Sequence, residues 1–256
     1  MNITRKIQRY GWKPSVKELE DVKYAIAKPV PLPSEIDMRP DFDPVYNQIL
    51  SSSCTGQMYV AAYRYSMKQA GLPDFMPSRL FIYYNERLLE GTTDSDCGAE
   101  IKDAFKAGNK LGICREETWG FSDKKNHIIQ KPSDAAYKEA ENNKIHNYAT
   151  LNNTILDELR HCMAHKFPIG FGFTVYSSFE SDEVAKSGIL EMPDLSKESV
   201  VGQHAVVACG YNDRLQLAYV RNSWGADWGE SGYFTMPYEY ICHPLLANDF
   251  WMQRLK

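Results

Sequence analysis

The spacing of hydrophobic positions changes rhythm near the middle of the chain. Between Ser53 and about Ala70, Met58, Ala61, Ala62, Tyr65 and Gln69 recur at three- and four-residue steps, which predicts a helix with one buried face. Ser52 or Ser53 is placed to cap it, and Gly71 and Pro73 to stop it. A second helix is expected from Ser78 to Glu90 and a third from Ala99 to Ala107, ending at Gly108. Shorter helices are expected over Asp134–Asn142 and Thr154–Lys166. Beyond these the pattern is that of strands. Ile169–Tyr176, His204–Tyr211, Leu217–Trp224, Gly232–Met236 and Phe250–Leu255 are rich in β-branched and aromatic residues, with Gly, Asn and Asp between them. Helices early and strands late predict an α+β fold with segregated halves.

The first 34 residues follow neither rhythm. Pro14, Pro29, Pro31 and Pro33 and mixed charges read as an extended arm. Yet Tyr10, Trp12 and Tyr24 are large apolar groups that a solvated tail does not need, so the arm is expected to pack on the body. Two courses are open to it, across a functional cleft or along the back of the domain. Composition changes the picture little: 256 residues, 43% hydrophobic and 24% charged, fit a globular chain. A net charge of −4 leaves no basic footprint for nucleic acid. No apolar run reaches the roughly 18 residues of a membrane span. The positive charges of the N-terminus have no apolar run behind them, so an intracellular setting is expected. Cys54, Cys97, Cys114, Cys162, Cys209 and Cys242 are widely spaced with no CxxC pair, which points to free thiols.

Candidate chemistry begins with Cys54. It sits at a predicted helix start, where free N–H groups and the helix dipole favour a thiolate. His204 opens an apolar strand and Asn222 ends the next, 150 and 168 residues downstream. A thiol nucleophile needs a base, and the base needs an orienting group; Cys, His and Asn supply these roles. Gln48, six residues before Cys54, is positioned to donate to a developing oxyanion together with the Cys54 backbone N–H. His161, Cys162 and His165 cluster on one predicted helix, but no second pair has zinc-site spacing, which favours a solvated helix face.

These pieces together resemble the papain-like cysteine peptidases. The resemblance rests on Leu32 to Arg39, on Val45-Tyr46-Asn47-Gln48, on Cys54 opening a long helix, and on His204-Ala205-Val206 with Gly210-Tyr211. It rests most on Asn222-Ser223-Trp224-Gly225 followed by Trp228-Gly229 and Gly232-Tyr233. Arg9 to Pro14 and Pro77 to Asn85 are similar to a branch with a short N-terminal extension. The resemblance implies an N-terminal extension over 1–34 and a catalytic domain over 35–256. Within that domain it implies a helical lobe roughly over 45–145 and a β-barrel-like lobe roughly over 146–256, with the cleft between them.

It also implies hydrolysis of peptide bonds through a thioester, with Cys54 as nucleophile, His204 as base and Asn222 orienting the imidazole. Trp224 would shield the His204–Asn222 hydrogen bond, and Gly98 would offer backbone groups to an extended peptide. Gln203, with Ala205 beside it, is expected near the S2 pocket, whose far end is sought around Ile241 to Pro244. The implied partner is a peptide or protein substrate, and neither metal nor organic cofactor is needed. Departures lie around the nucleophile. Ser51 stands where the family carries a cysteine, removing a disulfide partner of Cys97; Ser52 replaces a glycine and Thr55 a tryptophan. A non-catalytic peptide-binding homologue and an acyl-transferase using the same triad remain as alternatives.

Overall fold

The computed structural model describes residues 10–26 and 30–255. In chain order its helices are α1 (Cys54–Gln69), α2 (Arg79–Leu89), α3 (Ile101–Lys110), α4 (Lys125–Ile128), α5 (Asp134–Ala140), α6 (Leu156–Ala164), α7 (Asp182–Ser187) and α8 (Tyr238–Ile241). The strands are β1 (Trp12–Lys13), β2 (Glu35–Asp37), β3 (Ala99–Glu100), β4 (Asn147–Leu151), β5 (Ile169–Tyr176), β6 (Val200–Asn212), β7 (Leu217–Arg221), β8 (Tyr233–Pro237) and β9 (Ala247–Arg254). Among the described residues, no helix is long and apolar enough to cross a membrane.

Seven of these strands make one antiparallel sheet in the order β4-β9-β5-β6-β7-β8, with β2 added beside β6. Its path has two ends, β4 and β8, that do not pair among the described residues. The expected barrel-like lobe is therefore an open sheet. One face packs Phe171, Phe173, Val206, Tyr211, Phe234 and Phe250 into a core shared with α6 and α8. Residues of the opposite face, including Ala205, Val207 and Trp251, join a second core built by α1, α2 and α3.

The first helix lies where the two cores meet. Thirteen of its sixteen residues are buried, so it has no solvent face of the kind its spacing predicts, and Gln69 is exposed at its end. Ser53 holds the cap position but makes no side-chain cap bond; its hydroxyl is taken by Ser51 and Gln57. Ser78 does cap α2, accepting from Phe81 N–H at 3.1 Å. The third helix starts later than expected, after β3, and runs through Gly108. A side chain at Gly108 would collide with the Tyr59 hydroxyl at 1.7 Å, so this glycine serves close helix packing rather than termination.

The arm packs on the body. Trp12 and Tyr24 are buried and Tyr10 is half-buried. Its later part runs along the edge of β4, where Thr150 and residues 22–24 exchange backbone hydrogen bonds at 2.8 Å. This covers an edge that would otherwise present unpaired N–H and C=O groups.

Candidate active site

Two segments distant in sequence are laced together before any reactive group is placed. Residues 46–48 run beside 223–225: Gln48 N–H donates to Ser223 O at 2.9 Å, and Gly225 N–H to Tyr46 O at 2.9 Å. The buried Arg221 guanidinium holds the incoming loop, donating to Asp43 O at 2.6 Å and Pro44 O at 2.8 Å. Gln48 is fully buried, its Oε1 accepting from Ser223 Oγ at 2.6 Å and its Nε2 donating to Ser51 O at 2.9 Å. The three serines before Cys54 complete the turn. Ser51 Oγ bonds Gln48 O at 2.8 Å and Ser53 Oγ at 2.7 Å, while Ser52 N–H donates to the Asp96 carboxylate at 3.0 Å. All six cysteines are free thiols.

On the sheet side, His204 and Asn222 extend from β6 and the end of β7. Their contact is His204 Nε2 to Asn222 Oδ1 at 2.8 Å, wholly buried. The same Oδ1 accepts from the Ser223 backbone N–H at 2.8 Å. A backbone N–H can only donate, so the atom facing it is the oxygen, and the histidine proton therefore sits on Nε2. Nδ1 is then the ring nitrogen that can take up a proton. Trp224 is stacked on His204 with ring centroids 4.9 Å apart, closing one side of the imidazole to water.

Cys54 is the first residue of α1 and is fully buried. Burial pushes its thiol up to about 12, against hydrogen bonds from the backbone N–H groups of Ala205, Gly11 and Thr55. The bond from Ala205 puts the sulfur beside the His204–Ala205 backbone. Burial of the sulfur therefore works against the thiolate that the helix start favours, and Gly11 of the arm is among the residues in contact with it.

Tyr10, Gly11 and Trp12 lie across the junction. The Tyr10 ring sits 5.8 Å from His204 and 6.1 Å from Trp224, with its hydroxyl donating to Glu180 at 2.6 Å. Gly11 passes so close to the turn that a Cβ there would meet Ser52 O at 1.8 Å. Trp12 pairs in parallel with Ala99 and covers Gly172, where a Cβ would come within 2.1 Å of its ring. Residues 10–12 thus lie against His204, Ser52 and Gly172. Among the described residues, a cavity of about 380 Å³ lies under residues 15–24 beside Thr150 and Asp249.

The family model of the papain family cysteine proteases matches residues 32–243. The chain belongs to that family. It is 45% identical over 208 residues to an uncharacterized peptidase C1-like protein of Acanthamoeba polyphaga mimivirus, covering 78% of this chain and 66% of the relative. To the oryzain gamma chain of Oryza sativa it is 28% identical over 214 residues, 80% of this chain and 55% of the relative. The chain thus spans less than two thirds of these curated relatives. Xylellain, a cysteine protease from Xylella fastidiosa, superposes with a TM-score of 0.91 at 38% identity over 96% of both chains. Bromelain from Ananas comosus, solved in complex with the E64 inhibitor, shares the fold, with a TM-score of 0.67 at 20% identity over 88% of this chain and all of bromelain's.

Within this papain-family framework, some sequence expectations shift. Gly98 N–H is taken by the Tyr83 hydroxyl at 2.9 Å; the neighbouring Ala99 N–H is the donor to the extended strand, bonding Gly11 O at 2.8 Å. Gln203 is half-buried on the same strand face as Ala205, two residues away. Ile241 belongs to the sheet core, and Trp12 Nε1 donates to Asp249 Oδ2 at 3.0 Å. His161 and Cys162 are buried, not on a solvated face: His161 Nδ1 bonds the Tyr24 hydroxyl at 2.8 Å. No cluster of three metal-ligating side chains exists among the described residues.

Sequence reasoning missed Glu86. It is fully buried on α2, and Thr55, the residue after Cys54, donates its hydroxyl to it. Burial holds the Glu86 carboxyl well above the usual range, opposing the pull of the Thr55 bond. Thr55 in place of the family's tryptophan was the only sign in the sequence of a polar partner there. The exposed Cys97 was also underrated. Burial alone would raise it, but hydrogen bonds from Ser95 and Thr92 and the Lys13 ammonium, 3.5 Å away, hold its thiol below the usual range.

Proposed function

We propose that the chain is a cysteine peptidase held latent by its own arm. In this reading Cys54 Sγ attacks the scissile carbonyl while its proton passes to His204 Nδ1. Asn222 keeps the Nε2 proton engaged through the change of charge, and the Trp224 ring keeps water from that bond. The developing oxyanion is met by the Cys54 backbone N–H and by Gln48 Nε2. Collapse of the tetrahedral intermediate forms the thioester and expels the amine, which takes its proton from His204. Water then hydrolyses the thioester with His204 as base.

The observation that carries this reading is the buried His204–Asn222 bond, whose tautomer leaves Nδ1 to act toward the Cys54 side. The family of the chain and the name of xylellain support the same chemistry. The arm's role follows from its position: with Tyr10, Gly11 and Trp12 in place, a peptide cannot reach Cys54, and the thiol stays protonated. Incubation of the Trp12→Ala chain, whose arm has lost its aromatic anchor, with E64, the inhibitor named with bromelain, tests the reading. Mass spectrometry should find one equivalent on Cys54, with hydrolysis of a fluorogenic peptide lost in parallel. Label on another cysteine, or hydrolysis that survives complete modification of Cys54, would overturn it.

A further inference from the structure

A second cavity lies at the far end of α1. Among the described residues it measures about 290 Å³, between the last turn of α1, residues 165–167 after α6 and the end of β9. At 1.5 Å of rise per residue, Ser66 in its lining stands about 18 Å along the helix from Cys54. Two observations mark this cavity. The first is Gln253, which lines it and is 1% exposed, with no hydrogen-bond partner on either its amide oxygen or its amide nitrogen. The Ser66 hydroxyl is turned back on its own helix, donating to Ala62 O at 2.8 Å. A buried amide with both groups unpaired is costly, and a partner entering the cavity relieves it. The second is charge. Lys166 and Arg254 line the cavity and no acidic side chain does. Lys166 holds a φ of 61°, a left-handed backbone that glycine or asparagine adopts more readily than lysine. The turn bears that strain and carries an ammonium there. The Arg254 guanidinium lies 5.2 Å from the centre of the Phe167 ring, a stacking that steadies its planar fork.

An occupant of this cavity must bring an anion for the two cations, and both a donor and an acceptor for the Gln253 amide. A carboxylate next to a peptide unit brings all three. We propose that the cavity binds the carboxyl end of a short peptide, separately from the cleft. The N–H and C=O of the last peptide unit pair with Gln253, and the carboxylate meets Lys166 and the fork of Arg254. Phe167 and Leu255 supply an apolar wall for the terminal side chain. Sulfate satisfies the cations but has no N–H for the amide oxygen. Binding here does not depend on the peptidase reading, although peptide-bond hydrolysis releases ligands of this class.

The test is isothermal titration calorimetry on the full-length Cys54→Ala chain, which lacks the candidate nucleophile. The probes are N-acetyl-leucine, its C-terminal amide and sodium sulfate. N-acetyl-leucine should bind one site with a Kd of about a millimolar or tighter. The amide and sulfate should each bind about tenfold more weakly or worse, the first lacking the charge and the second the peptide unit. Two further substitutions place the site. Gln253→Met keeps an unbranched side chain and removes both unpaired groups; Lys166→Asn keeps the left-handed backbone and removes the charge. Each should melt no lower than its parent and bind N-acetyl-leucine about tenfold more weakly. Unchanged affinity in either folded variant would overturn the proposal. So would equal binding of the acid and its amide, sulfate bound as tightly as N-acetyl-leucine, or no saturable binding at all. Because the readout is binding by a chain without the Cys54 thiol, failure of the peptidase reading would leave this result untouched.

Discussion

The two walls that meet at Cys54 are held by different physics. On the sheet wall, His204, Asn222 and Trp224 are fixed by strand pairing, a buried hydrogen bond and ring stacking, none of which needs the arm. On the helix wall, the Cys54 sulfur stands at a helix start ringed by N–H groups, one of them from Gly11 of the arm. In the proposed reading the sheet wall is ready in advance, while the helix wall is switched by whether Tyr10, Gly11 and Trp12 are seated. On that reading, preorganisation of the base and control of the nucleophile are separate jobs, given to separate parts of the chain.

The sharpest way to break this comparison is at the arm's aromatic anchor. Trp12→Ala removes a buried indole together with its bond to Asp249, a loss on the order of 3–5 kcal/mol for a core tryptophan. That should raise the rate of Cys54 alkylation by about two orders of magnitude or more, as read by timed iodoacetamide labelling. Loss of the orienting amide should act on the other wall. Asn222→Ala leaves the arm seated, so Cys54 labelling changes little, while kcat falls by about tenfold to a thousandfold without reaching zero. A folded Asn222→Ala chain with a freely reactive Cys54 would show that the walls are not independent.

A smaller effect is expected at Glu86. Its carboxyl titrates above its unfolded value of 4.5, so the folded chain holds this proton more tightly than the unfolded chain does. The associated stability is fully present below that value and is lost as pH rises through the folded pKa. Glutamine keeps an oxygen for Thr55 and does not titrate. Glu86→Gln should therefore melt higher than wild type at pH 8, by about 5 °C, with the gap closing below about pH 4.5. A gap independent of pH would show that Glu86 is not held protonated.

How much of this was legible beforehand depended on how local the signal was. The strand Ile169–Tyr176 was readable to the residue, because its aromatic and β-branched run faces two cores. The buried character of α1 was not, since burial on every side erases the periodicity that marks a face. The contact between His204 and Asn222 could be read from order and spacing along two neighbouring strands. What lies over Cys54 could not, because it depends on Gly11 and Trp12 of the arm meeting Ser52, Gly98 and Gly172 in space. The same holds for Asp249, whose neighbours in sequence give no hint of Trp12 and Ser15, more than 230 residues away. Glu86 likewise reads as an ordinary helix-surface charge until Thr55 is brought against it.

The central claim is that the arm, and not the chemistry of the thiol itself, keeps Cys54 silent. Gly11→Ala tests it most directly, because the added methyl would stand 1.8 Å from Ser52 O and must lift the arm while leaving the rest of the chain intact. Timed alkylation with site-resolved mass spectrometry gives the readout. In the wild-type chain Cys97 should label first and Cys54 slowly; in Gly11→Ala, Cys54 should overtake Cys97. Rapid labelling of Cys54 in the wild-type chain, or an unchanged order in the folded variant, would contradict the account.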